Sequence, residues 1–459
     1  MFKKAFVLIG DDLRLSDNPA LSEAIKLCGQ SGAELAVIYN YQSNYTGREL
    51  GGAAKVFLHH CLKAFAAELK ARLDIELYIF NLDIDTLIST LFIQHGFDAI
   101  FYNRPYIKHH RVKIEAALAK ARQSKNLECC NYKAQTLFEY GLIKTGSGED
   151  FKVFTPFWKA CLKSQHAIGN TIAAPDKASI NHAHIEGENL KNHQNLDTLE
   201  LLPVNQGNWH KTLASYWSFD YAELNAKIED FIENKLQDYK ENRNLTYIKG
   251  CSNLSPYVRF GFVSVREVFN RVMQSDKTSD QYLAELGWRE FACHVAFAND
   301  HLQNQELRQN FATFRWEQNF EHLKAWQKGV TGFEIVDAGM KELYATGQMH
   351  NRVRMISASF LVKDLLINWR AGEEYFWDTL VDACPAVNPF SWQWVFGSGY
   401  DAAPYFRIFN PDTQRERFDP NFEYCKKWLG KNFNLGGDAR IVSHEIQRDK
   451  ANRLYSLIK

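Results

Sequence analysis

Along the first 130 or so residues, unbroken apolar runs alternate with helical patterns. Ala5–Ile9, Ala36–Tyr41, Ile75–Phe80, Ala99–Tyr102 and Leu127–Asn131 are β-prone and continuously hydrophobic. Strands of that kind are covered on both faces, which predicts a parallel α/β sheet. Between them, Lys55–Leu73 carries Phe57, Leu58, Cys61, Leu62, Phe65 and Leu69 on a helical period. Asn18-Pro19 offers an N-cap followed by Pro at the first helical position. The shape is Rossmann-like, yet the turn after the first strand reads Gly10-Asp11-Asp12-Leu13-Arg14-Leu15. Without Gly-x-Gly-x-x-Gly, backbone amides have no close approach to a pyrophosphate, so the fold is of nucleotide type without the usual nucleotide site.

The pattern changes after about Ser164. From there to Gln206 the chain is polar, has no aromatic residue and keeps no sustained period, which predicts a long surface connection. Ten of the eleven tryptophans follow it and only Trp158 precedes it, so two differently built domains are expected. The second half is mostly helical, with periodicity over Tyr282–Asn299, Phe333–Thr346, Asn351–Trp369 and Glu373–Asp382. The predicted division is an α/β domain over 1–132, a connector over 133–206 and an all-helical domain over 207–459.

Composition narrows the chemistry. With 459 residues, 46% apolar, the chain is long enough for several domains and a large core. Lys plus Arg balance Asp plus Glu at 54 each, which excludes a globally basic nucleic-acid coat and leaves only a local patch for a polyanion. Nine scattered cysteines show no metal-ligand spacing and cannot all pair, which fits a reduced, cytoplasmic protein and no metal site. No apolar run approaches the ~18 residues of a membrane span.

Four stretches interleave aromatic, Arg and acidic residues within segments that otherwise look buried. Tyr239 to Arg243 precedes Cys251-Ser252-Asn253-Leu254-Ser255-Pro256-Tyr257, a hydroxyl cluster ahead of a Pro-started helix, able to meet phosphate. The plainer reading is an N-cap at Ser255. Glu285 and Arg289 stand one turn apart and can form an ordinary i,i+4 pair beside Trp288. Gln348 to Met355 and Asp382 to Trp394 complete the set, the latter running on to Asp401–Pro411.

Together with Asp17-Asn18-Pro19-Ala20-Leu21, Phe154-Thr155-Pro156-Phe157 and Trp288-Arg289-Glu290-Phe291, these blocks resemble the photolyase and cryptochrome family, in order, from the first strand to about Leu429. The likeness is greatest to the class I-type cyclobutane pyrimidine dimer photolyases. The resemblance implies an FAD-binding helical domain and light-driven repair of pyrimidine dimers in ultraviolet-damaged DNA, by electron transfer from reduced FAD to a flipped-out dimer. The enzyme would be a carbon–carbon lyase, monomeric and without an obligate protein partner. Carried over by position, Tyr239, Cys251, Ser252, Asn253, Leu254, Ser255, Arg289, Asn351, Arg354, Asp382, Ala383, Cys384 and Asn388 would bind FAD. Arg243, Glu285, Trp288, Gln348, Asn351, Arg352, Met355, Trp394, Arg407 and Gln414 would bind DNA and the lesion. Trp392, Trp369 and Trp316 match the family's electron-transfer chain, with Asn388 and Glu285 the other catalytic positions. Trp326 and Trp377 have no such match and read as packing.

The residue types suit those roles. An Arg354–Asp382 pair beside the flavin would be buried but compensated, and a cation there favours the anionic reduced ring. A dimer must leave the helix to reach a buried flavin, and its weakened pairing lowers the cost. Phosphate contacts by arginines hold the strand without reading sequence. Met355 favours cyclobutane dimers as substrate, and Asn388 leans toward repair over signalling. The alternative is a cryptochrome-type blue-light photoreceptor; a third is a DNA-binding flavoprotein that has lost activity.

Three positions depart from the family. Cys251 replaces Thr, Cys384 replaces the second Asp of an Asp-x-Asp pair, and Gln348 replaces an aromatic whose stacking is worth ~1–3 kcal/mol per base. A second, antenna chromophore, folate or deazaflavin, is expected without its identity. Gly10 stands where the family commonly has Arg, and His109-His110 where some folate binders have Asn-Glu.

Overall fold

The computed structural model describes residues 2–45, 47–123, 126–177, 180–185, 195–203, 207–402, 406–430, 433 and 440–459. Five of the strands form on the predicted runs: β1 Lys4–Ile9, β2 Glu34–Asn40, β3 Leu77–Phe80, β4 Ala99–Asn103 and β5 Glu128–Tyr132. All pair in parallel in the order β3-β2-β1-β4-β5, with Val7 opposite Val37 on one side and Phe101 on the other. A sixth strand, β6 Asn181–His182, joins β2 from within the stretch expected to be a surface connection. Two residues are too few to show a period, so the sequence pattern could not mark it.

Alternation sorts the sheet's faces. Phe6, Leu8, Ala36 and Ile38 pack with Phe92, Ile100 and Leu118, while Ala5, Val7, Leu35 and Val37 belong to a core continuous with the helical domain. The helix α1, Pro19–Ser31, starts on its expected cap, with the Asn18 side chain accepting from the Leu21 amide. The helix α2, Gly52–Leu73, begins three residues before the predicted Lys55.

In the second half, the helices Asp280–Ala298 and Glu334–Thr346 match their predicted periods. The expected single helix Asn351–Trp369 does not form. It runs Asn351–Ser359, loosens into a π turn over Phe360–Asp364, and breaks at Leu366, whose φ is 52°. A new helix, Trp369–Thr379, starts where Asn368 accepts from the Arg370 amide. Residues 365–367 are buried all round, so hydrophobicity continues across the break and hides it. Among the described residues, no helix is long and apolar enough to cross a membrane.

The absence of a glycine-rich loop after β1 now has a reason. The Asp12 carboxylate accepts from the Gly10 amide, and Asn103 joins Asp12 to Asn18, so the turn satisfies its own polar groups. The helical domain then docks on it: Leu13 N–H donates to the Phe260 carbonyl at 3.3 Å and Arg14 to the Gly261 carbonyl at 3.0 Å. Gly261 has φ 64°, and a Cβ there would lie 2.1 Å from the Asp11 carbonyl oxygen. Asp17, fully buried, pairs with Arg266 and accepts from Ser264 of the helical domain.

Candidate flavin and DNA site

The polar basin of the helical domain starts at the turn before the short helix Ser255–Arg259. Asn253 takes φ 53°, which brings its side-chain oxygen within 2.7 Å of the Gln348 amide nitrogen. Tyr282 donates to the Ser252 hydroxyl at 3.2 Å and stands edge-on to buried Tyr239. Cys251 lies 3.8 Å from the Arg243 carbonyl and 3.9 Å from His350, and burial pushes its thiol up to about 11. Ser255 is not a cap. Its hydroxyl donates to Asp382 at 2.6 Å, and Leu254 stands at the cap position without a side-chain bond.

Asp382 is the hub of the next group. Arg354 meets it with both nitrogens at 3.0 Å, the bidentate geometry of a strong charge-assisted pair. The buried Ala383 and Cys384 follow, and the Cys384 sulfur accepts from the Val387 amide at 3.1 Å, closing the turn. Arg289 does not pair with Glu285. One nitrogen donates to the Gln135 carbonyl at 3.1 Å, while Nη1 is buried without a partner among the described residues, as is the hydroxyl of nearby Tyr106. A buried guanidinium N–H without an acceptor is costly, and a phosphate oxygen relieves it. The donor set thus fits a dinucleotide cofactor.

Asn388 is fixed in a way its sequence position does not show. Its Nδ2 donates to the Glu373 carbonyl at 3.1 Å and to the Glu373 carboxylate at 2.7 Å. Both partners are acceptors, so the amide cannot flip, and Oδ1 is the atom left for a ligand. Glu373, 1% exposed, is itself held by Arg48 of the α/β domain, whose guanidinium lies 3.8 Å from the Trp377 ring centre. Sequence reasoning missed Glu373 and Arg48 and left Trp377 to packing. The signal for Glu373 was there: on the helix Trp369–Thr379 it shares the buried face with Trp369 and Phe376 at i−4 and i+3. Arg48, in a loop of the other domain, gives none.

A cationic edge borders this basin. Glu285 pairs with Arg243 at 2.9 Å and accepts from Gln281, and burial holds its carboxyl above the usual range despite that arginine. Arg352 donates to Asn244 and lies over Phe418; burial, then the guanidiniums of Arg243, Arg417 and Arg407, lower it to about 10. Arg407 also lies 6.0 Å from the Trp394 ring, and the Trp394 indole donates to the Asp401 carbonyl. Trp288 stacks on Phe154 at 3.9 Å, which explains the Phe154 block as its buttress. Asn351 is exposed, and Met355, Gln348 and Gln414 are half-buried. Residues 403–405 of the Asp401–Pro411 block lie outside the described residues.

Trp392 and Trp369 are buried and Trp316 half-buried, an inside-to-outside gradient. Gly372 makes room for it: a Cβ there would meet the Trp392 ring at 2.2 Å. Trp369 donates to Glu306 at 3.0 Å, and Trp316 packs 4.7 Å from both Phe314 and Phe396. Trp326, expected as packing, is fully buried and donates to the Ser357 carbonyl.

A parallel-sheet domain joined to a helical basin with a buried, unpaired guanidinium N–H is the arrangement of a two-domain nucleotide-cofactor protein, and its sequence matches a known family. Residues 5–177 match the family model described as DNA photolyase, and residues 282–455 the one described as FAD binding domain of DNA photolyase. The chain belongs to the photolyase and cryptochrome family and binds FAD. It is 35% identical to the deoxyribodipyrimidine photo-lyase of Agrobacterium fabrum, over 98% of this chain and 96% of that one. It is 29% identical to Cryptochrome-2 of Arabidopsis thaliana, over 94% of this chain and 71% of that one. The crystal structure of a class III photolyase from Agrobacterium tumefaciens superposes with a TM-score of 0.90 at 32% identity, covering 100% of this chain and 98% of that one.

Proposed function

We propose that the protein repairs cyclobutane pyrimidine dimers in ultraviolet-damaged DNA with light. The observation that carries this reading is the arginine cluster beside the flavin basin. In a chain of zero formal charge, Arg243, Arg352, Arg407 and Arg417 concentrate positive charge, with Glu285 the acid among Arg352's neighbours. Such a patch seats a phosphate backbone and leaves sequence unread.

Reduced FAD, when bound, supplies the electron that opens the cyclobutane ring. The chain does the rest. Arg289 and the Ser252 hydroxyl would hold the phosphates, Ser255, its proton engaged by Asp382, would accept from a ribityl hydroxyl, and Arg354 with Asp382 would orient the isoalloxazine edge and set its charge environment. Asn388, locked by Glu373, presents only its oxygen, an acceptor for a protonated ring nitrogen. Trp288, backed by Phe154, and Trp394 give flat apolar faces for the extruded bases. When a phosphate draws Arg243 away, Glu285 keeps a buried carboxyl with a raised affinity for its proton, able to donate to a pyrimidine carbonyl. A second, antenna chromophore would enter at the crevice at the carboxyl ends of β1, β2 and β4, lined by Asp11, Tyr39, Tyr45, Tyr102 and His110, whose side chains must part to admit it.

The test is incubation of reduced protein with a dimer-containing oligonucleotide, in darkness and under blue light. Restored thymines only in the light support repair; flavin photoreduction without restoration replaces it with the receptor reading. In the Trp392→Phe protein, photoreduction of oxidised flavin should slow at least tenfold while repair by pre-reduced protein persists. Equal loss of both removes Trp392 from the electron path.

A further inference from the structure

Arg259 lies at the end of the helix Ser255–Arg259, 3% exposed, and none of the roles above uses it. It bridges the two domains. Its Nη1 meets the Asp11 carboxylate at 2.6 Å, its Nη2 donates to the Tyr45 hydroxyl at 2.8 Å, and its Nε donates back to the Ala383 carbonyl at 3.2 Å. The Phe260 ring lies 4.8 Å from the guanidinium. Asp11 and Tyr45 line the crevice at the carboxyl ends of the strands, and Tyr45 is edge-on to His110 there at 5.3 Å. Ala383 and Cys384 form the turn that follows Asp382. One guanidinium therefore touches the sheet crevice with one edge and the Asp382–Cys384 turn with another.

We propose that Arg259 is a positioning residue that lets the α/β domain set the reduction potential of the flavin. The inference rests on the proposed flavin site, with the ring at Arg354 and Asp382 extending against the Ala383–Cys384 turn that follows. Arg259 holds that turn through the Ala383 carbonyl and supplies a fixed positive charge behind it. Reduction leaves the ring anionic, so a nearby cation favours the reduced state, and burial leaves the field little screened by solvent. Asp11 lies on the far side of the guanidinium and partly cancels the charge. In this chain position 384 carries a cysteine rather than an acid, so Arg259 acts on the flavin without an opposing carboxylate at that point.

The ion pair gives a test with opposite signs at its two ends. The midpoint potential of bound FAD is measured by dye-coupled reduction in the full-length FAD-loaded protein. Arg259→Met should lower it by at least about 30 mV, a tenfold loss in the ratio of reduced to oxidised flavin. Asp11→Asn should raise it, and Arg259→Lys should stay near the unsubstituted protein. A buried charge left alone can unfold a protein, so the double variant Arg259→Met with Asp11→Asn is the control, since exchanging a buried pair for neutral groups is often tolerated. It should shift downward, less than Arg259→Met alone. Shifts of the same sign at Arg259 and Asp11, or an unchanged potential in the double variant, overturn the inference while leaving FAD binding and repair standing. A chain that takes up no FAD overturns the site reading and this inference together.

Discussion

The protein contains two turns of the kind that bind phosphate, and they have opposite fates. In the α/β domain, the turn after β1 is closed: Asp12, Asn18 and Asn103 satisfy one another, and Gly261 of the helical domain sits against Asp11. In the helical domain, the 251–255 turn is left uncovered, with Asn253 and Ser255 exposed. Ser255 reaches Asp382, and Arg289 keeps a buried N–H without a partner among the described residues. A Rossmann-like sheet need not keep the nucleotide where its topology suggests. Where the first turn becomes a domain interface, the dinucleotide site moves to the partner domain, and the sheet's remaining opening is its crevice.

The largest expected effect comes from breaking the closed turn. Gly261→Ala places a methyl on the Asp11 backbone and strains a positive φ, so the domains should fail to dock, and soluble yield or melting temperature should fall sharply. A variant that melts like the parent would show that the interface yields. Next is the hub of the open turn. Asp382→Asn leaves the partly exposed Arg354 without its counter-charge and Ser255 without its charged acceptor, so FAD affinity, measured by titration of the apoprotein, should fall at least about tenfold. Gln348→Trp restores an aromatic beside the basin and should tighten binding of dimer-containing DNA by about tenfold, measured by fluorescence anisotropy. The smallest effect sharpens the comparison at the phosphate turn itself. Cys251→Thr adds a hydroxyl worth about 1 kcal/mol and should improve FAD retention a few-fold. With its acidity weakened to about 11, the Cys251 thiol stays neutral from pH 7 to 10, so that gain should be flat over this range. A gain that grows with pH would mean that the thiolate forms there and repels phosphate.

Much of this architecture was legible in the chain. Five strands, the cap at Asn18 and the long helices follow from periodicity and local chemistry, because each depends on neighbours within a few residues. The Arg354–Asp382 pair was likewise anticipated from its residues and the family's order. What failed was local inference where a distant group competes. Glu285 and Arg289 are one turn apart, yet each has a better partner elsewhere, Arg243 for one and Gln135 for the other. Ser255 prefers Asp382 to its own helix amides. The helix expected from Asn351 to Trp369 breaks because Asn368 caps a new one inside a buried apolar run.

Hydrophobic spacing alone therefore marked five strands and most of the longer helices, passing over β6 and the break at Leu366, and family-like motif order supplied the candidate residues of the basin. Only the folded chain decided that Glu373 and Arg48 lock Asn388, that Arg259 joins the sheet crevice to the Ala383 turn, and that the first βα turn is shut. These contacts join residues up to 325 positions apart, as in Arg48 with Glu373. Periodicity carries information over a few turns of helix, whereas the partner of a buried charge is chosen by desolvation in three dimensions.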